Sequence, residues 1–154
     1  DGIKELLFDT LGWSDRVWSK KLSSASNRLL LYFAQALLST GQSLILESNF
    51  PPQEYTERVR ALAVACPFKP FQILCVADGR VLIERFRQRW DSGMRHPGHV
   101  DDQSFEEICQ TLLPGRLDPL EIGGKLVEID TTHFEKIDYP RLIHEIHLFR
   151  RSNP

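Results

Sequence analysis

Cysteine, methionine, long apolar runs and excess charge of either sign are all scarce in this sequence. Three cysteines and one methionine occur in 154 residues. Cys66, Cys75 and Cys109 are odd in number, far apart and set in apolar or helical surroundings. That pattern excludes a disulfide framework and a zinc ribbon, and reads as reduced thiols of a core. No stretch approaches the roughly 18 consecutive apolar residues that span a bilayer, and no charged-then-apolar leader opens the sequence. A soluble, intracellular and cytoplasmic protein with no membrane partner is expected. Nineteen basic residues against twenty-one acidic ones leave a formal net charge of -2. No global positive field therefore favours nucleic acid as a partner, although a local cationic site stays open. Neither repeats nor low-complexity tracts are present.

What is there suits one compact domain over residues 1–154, with 42% hydrophobic and 26% charged residues. Helical periodicity runs through 2–11 and ends at Gly12, then through 14–39, as one long helix or two, and ends at Gly41. The run SLILESNF at 43–50 is too short for a core helix and precedes Pro51-Pro52, so a buried strand is expected there. A helix at 54–65, a strand at 71–77 and a helix at 81–90 follow. Then come a helix at 104–113, a strand at 125–129 and a last helix at 139–150. Short apolar strands separated by helices predict an α/β fold with a mainly parallel sheet flanked on both faces. Three strands are few for so many amphipathic helices, which points to a further strand ahead of Asp1.

In such sheets ligands bind beyond the carboxyl ends of the strands. Glu47-Ser48-Asn49, Asp78-Gly79 and Asp130-Thr131-Thr132 stand there. Asp78 directly precedes a helical run and reads as its N-cap. Glu47, a carboxylate inside an apolar strand, would need a partner or a metal ion. Arg85 and Arg89 are four apart on one helix face, where they imply an anionic partner or a solvated surface. The loop DSGMRHPGHV at 91–100 then surrounds Arg95, His96 and His99 with glycines, a composition able to close over phosphates. His96 and His99 lack the cysteine or carboxylate companions that a zinc site needs.

The stretches DGIKELLFDTLG, ILESNF and SGMRHPGH, together with the arginine spacing between them, resemble the P-loop kinase-like ATP-binding proteins related to zeta toxin and chloramphenicol phosphotransferase. The likeness covers nearly the whole chain. It implies a three-layer P-loop NTPase-like fold whose N-terminal strand and GxxxxGK[ST] loop are absent from this sequence, and a lid at about 85–103. Gly123-Gly124-Lys125 is followed by Leu126 and cannot serve as that loop. By resemblance Asp1 is the general base that takes the acceptor's proton, and Arg85 and Arg89 offset charge on the moving phosphoryl group. Arg95 and His96 match the lid tip, Thr131 and Thr132 fall beside the adenine of ATP, and Glu47 matches the acidic position that holds Mg2+. The implied function is ATP-dependent transfer of a phosphoryl group to a hydroxyl of a small molecule. The alternative is a non-catalytic nucleotide-binding or interaction module without a working phosphate loop.

Overall fold

The computed structural model describes residues 2–152, so Asp1 lies outside the described residues. Helices α1 (Gly2–Leu11), α2 (Arg16–Leu38) and α3 (Pro52–Ala65) precede strand β1 (Phe71–Val76). Helices α4 (Gly79–Asp91) and α5 (Asp101–Leu112) lead to strand β2 (Lys125–Asp130), and α6 (Tyr139–Arg151) closes the α/β arrangement. Short 3-10 turns occupy Pro97–His99 and Phe134–Lys136.

Helices α2, α4 and α6 begin where an aspartate can satisfy their first N–H groups. Asp15 accepts from Trp18 N at 2.8 Å, Asp78 from Arg80 N at 2.8 Å and Asp138 from Arg141 N at 2.9 Å. The cap expected of Asp78 is therefore present. Region 14–39 forms one helix of 23 residues, about 35 Å long. Both Gly12 (φ 80°) and Gly41 (φ 74°) adopt the left-handed backbone that ends a helix without a Cβ clash.

Packing follows the apolar stripes. Helix α1 lies on α2, and α2 on α3. Tyr55, Val59, Leu62 and Cys66, spaced by four, three and four residues, bury one side of α3 and its C-terminal cap. The Cys66 thiol meets the Ser39 hydroxyl at 3.2 Å and so ties the end of α3 to that of α2. Phe8, Leu22, Ala34, Phe86 and Val100 complete the described apolar core. Each large side chain removed from water in this way contributes about 1.5–3 kcal/mol before entropy is counted. Helix α4 joins α5 through Phe86 and Trp90, whose rings lie 5.7 and 5.5 Å from that of Phe105.

Strands β1 and β2 pair in parallel from Phe71↔Lys125 to Val76↔Asp130. Registered neighbours share a face. On one face α6 covers the start of the pair, through the Phe71–Phe149 ring contact at 5.2 Å and the Lys125–Glu145 ion pair. Farther along that face Val127 and Ile129 of β2 are half-buried, while Ile73 and Cys75 of β1 are exposed. On the other face Gln72, Leu74 and Val76 are half-buried and Leu126, Glu128 and Asp130 are exposed.

Two expectations are corrected. The strand expected at 43–50 does not form, and the described sheet has two strands rather than three. The segment still alternates, with Leu44 and Leu46 half-buried and Ile45 96% exposed. It lacks a neighbouring ladder, and a strand exists only by pairing. It ends at Phe50 in the left-handed region (φ 46°), where a bulky residue is strained; its ring packs edge-on against Tyr55 at 5.0 Å. The second correction concerns the thiols. Cys66 is buried and Cys109 half-buried, but Cys75 is exposed on the uncovered part of β1.

Candidate functional site

Glu5, Phe8 and Asp9 lie three and four residues apart and so share one face of α1. Loop 92–100 is docked on that face. Phe8, 1% exposed, stacks on His96 at 5.1 Å and meets His99 edge-on at 5.5 Å. Gly98 rides directly over the ring, and a Cβ there would come within 2.6 Å of it, so only glycine fits without a shift. Gly98 N donates to His96 Nδ1 at 3.0 Å. The imidazole proton is thereby placed on Nε2, which faces Asp9 Oδ1 at 3.2 Å.

His99 is almost fully buried, with Nε2 3.0 Å from Glu5 Oε1. Burial pulls this imidazole below its ordinary pKa, with Arg95 and Lys4 adding to the effect and Glu5 and Asp101 opposing it. The bond to His99 in turn holds the Glu5 carboxyl below its ordinary range. A neutral His99 donating to an ionised Glu5 satisfies both shifts.

The next layer is an ion pair. Arg95 Nε lies 2.5 Å from Asp101 Oδ2, with the side chains 17% and 6% exposed. Between them Val100 sits in the left-handed region at φ 48° and ψ 48°, held by a bond from its N–H to Pro97 O at 3.0 Å. A β-branched residue there stores about 1 kcal/mol or more. Burial, then repulsion from Arg16 and Arg95, brings Lys4 down to about 8. Arg89, exposed at the end of α4, is also lowered, by burial and then by Arg95, with Asp101 opposing.

A pocket of about 370 Å³ opens beside this network. Trp13 and Ser14 of the α1–α2 turn, Trp90 of α4, Arg95 and His96 of the loop, and Asp101 and Asp102 of α5 line it. Arg85 lies toward the other end of the arginine helix. Its Nη2 donates to Thr132 O at 3.0 Å, and its guanidinium stacks on Phe134 at 4.2 Å. Thr132 Oγ1 accepts from Asp78 N at 2.9 Å, and Thr131 bonds Val76 O through both its N–H and its hydroxyl at 2.7 and 2.9 Å.

The residues singled out in the sequence thus fall into two groups. Arg89, Arg95 and His96 gather about the pocket and its ion pair, whereas Arg85, Thr131 and Thr132 meet at the carboxyl ends of the strands. Glu47 belongs to neither group. It is exposed on the 43–50 segment, so the argument from a carboxylate buried in a strand falls. Asp1 lies outside the described residues. Among the described residues no cluster of three or more His, Cys, Asp or Glu is placed to hold a metal ion. Sequence reasoning missed Glu5, Asp9 and Asp101. The shared face of Glu5, Phe8 and Asp9 was the available signal for two of them.

Neither a known family model nor a curated protein matches the sequence. Among solved structures, the 1.70 Å crystal structure of a protein named as a putative kinase, from Chloroflexus aurantiacus J-10-fl, does match. It is 43% identical with a TM-score of 0.89, over 97% of this chain and 80% of that one. The chain belongs to that protein's family. No helix among the described residues is long and apolar enough to cross a membrane.

Proposed function

We propose that this chain belongs to an ATP-dependent phosphotransferase that moves the γ-phosphoryl group onto a hydroxyl of a small molecule in the cytoplasm. The likeness to a kinase across nearly the whole chain carries this reading. The distribution of its cationic groups supports it. Phosphoryl transfer asks for positioning and charge compensation more than covalent chemistry. Arg85 and Arg89 would face the charge that develops on the transferred group, with Arg95 and His96 at the tip of a lid over about 85–103. Thr131 and Thr132 would border the adenine, and Asp1 would take the hydroxyl proton. Glu47 is an exposed oxygen donor of the type Mg2+ accepts, an ion usually held by one or two carboxylates together with phosphates and water. Bound there, Mg2+ would neutralise phosphate charge.

The same reading extends to the architecture, as a single three-layer P-loop domain. Among the described residues the outer edge of β1 carries no ladder, and one more parallel strand leading into a GxxxxGK[ST] loop would suit that edge. The second reading is a non-catalytic nucleotide-binding or interaction module.

The test is the rate of phosphoryl transfer or ATP hydrolysis by the complete protein. Arg85→Ala and Arg89→Ala are each expected to lower it at least about a hundredfold, roughly 2.7 kcal/mol of barrier. Unchanged rates would remove both residues from the mechanism. Absence of any transfer by the unsubstituted protein, with Mg-ATP still bound, would favour the second reading.

A further inference from the structure

Resting on the phosphotransferase reading, we infer that the pocket beside the docked loop receives the acceptor as an uncharged hydroxylated ring laid against the indoles of Trp13 and Trp90. Two large aromatic side chains at the walls of one cavity are 51% and 41% exposed. Trp90 is backed by Phe105 at 5.5 Å, so its position is set while part of its surface stays open. Trp13 follows directly on Gly12, the residue that ends α1. Flat apolar surface offered at a polar cavity suits the apolar face of a ring.

The charges narrow the choice. Arg95 is neutralised by Asp101 at 2.5 Å, and His96 directs its Nε2 to Asp9 at 3.2 Å. A cationic acceptor would find only the exposed Asp102 as a counter-charge, because Asp101 is already paired with Arg95. An anionic one would meet Asp101 and the exposed Asp102. An uncharged ring avoids both, while Ser14 and Asp102 offer hydrogen-bond partners for its hydroxyls. A cavity of about 370 Å³ is in the range that holds one or two rings. Sugars and aromatic alcohols share this chemistry, an apolar face with a hydroxyl at the rim.

The experiment is a fluorescence titration without nucleotide in a Trp18→Phe background. The Trp18 indole is engaged elsewhere, donating to Gly12 O at 2.9 Å, and its removal leaves Trp13 and Trp90 as reporters among the three tryptophans. Methyl β-glucoside, benzyl alcohol and phenyl β-glucoside are the ring probes, with choline and benzoate as charged comparisons. A saturable change is expected with phenyl β-glucoside, and whichever of the other two ring probes binds assigns the sugar or the aromatic source. Trp90→Ala or Trp13→Ala should weaken the response of the remaining indole at least tenfold with the circular dichroism unchanged. Trp90→Phe should keep affinity within about threefold. No saturation with any ring probe, or tighter binding of choline or benzoate, overturns the inference. Ring binding without any phosphoryl transfer counts against the phosphotransferase reading alone. Transfer that proceeds undiminished in Trp13→Ala and Trp90→Ala counts against the pocket alone.

Discussion

Around loop 92–100, Arg95, His96 and His99 each meet a carboxylate from another segment, Asp101, Asp9 and Glu5. On 43–50, on the outer side of α3 and on the open face of β1, by contrast, Ile45, Val64 and Ile73 are 96%, 85% and 43% exposed. The first region closes its polar groups on one another, and the second presents apolar groups to water. The difference separates what holds this fold together from what it leaves open to a neighbour. A buried ion pair loses heavily when one partner is removed, because the other charge stays desolvated. An exposed isoleucine has nothing comparable to lose.

The largest effect that would break this contrast is expected at Asp101. Asp101→Ala should lower the unfolding free energy by about 3 kcal/mol, the lower end for breaking a buried pair, since Arg95 keeps some contact with water. Denaturant titration measures it, and a loss below about 1 kcal/mol would mean that the network is not what secures the loop.

A middle effect concerns acid. An ordinary imidazole protonates near pH 6.5, whereas the folded-state value of His99 is lower. Between those two values the unfolded chain binds more protons, so stability falls as pH falls below about 6.5. Thermal melts from pH 7 to 5 should show that decline in the native protein. They should show a flatter profile for His99→Gln, which removes the titration. Equal slopes would exclude His99 as the cause.

The smallest effect is expected on the open side. Ile45→Lys should change stability by no more than about 0.5 kcal/mol in either direction. A loss well above 1 kcal/mol would show that the segment has a packed partner, and the contrast between the two regions would fail.

Much of this architecture was legible because helices are local. Periodicity located α1, α2 and α6 to within two residues, and Asp78 announced itself as a cap by standing directly before an amphipathic run. Strands were legible only where a partner exists. FQILCV and KLVEID pair with each other. SLILESNF has equal apolar character and no described neighbour, so the same reasoning overreached, and the expected burial of Glu47 went with it. The candidate site was legible by halves for a related reason. Arg95 and His96 stood out by composition, but Asp9 and Glu5 lie 87 and 94 residues from the histidines they meet, a separation no local pattern encodes. Asp101 was closer at hand and still passed over, since an acid at the head of α5 reads as ordinary helix chemistry.

Helix α4 acts as a spacer of fixed pitch. Arg85 and Arg89 are four residues apart, about 6 Å along the axis and little more than one turn around it. The first is anchored beside the strand ends, and the second leans toward the docked loop. The phase between the two polar groups is therefore written into the residue count of one rigid element. A single residue inserted between Arg85 and Arg89 would swing one of them about 100° out of line, and would turn Phe86 or Trp90 away from Phe105 by the same angle.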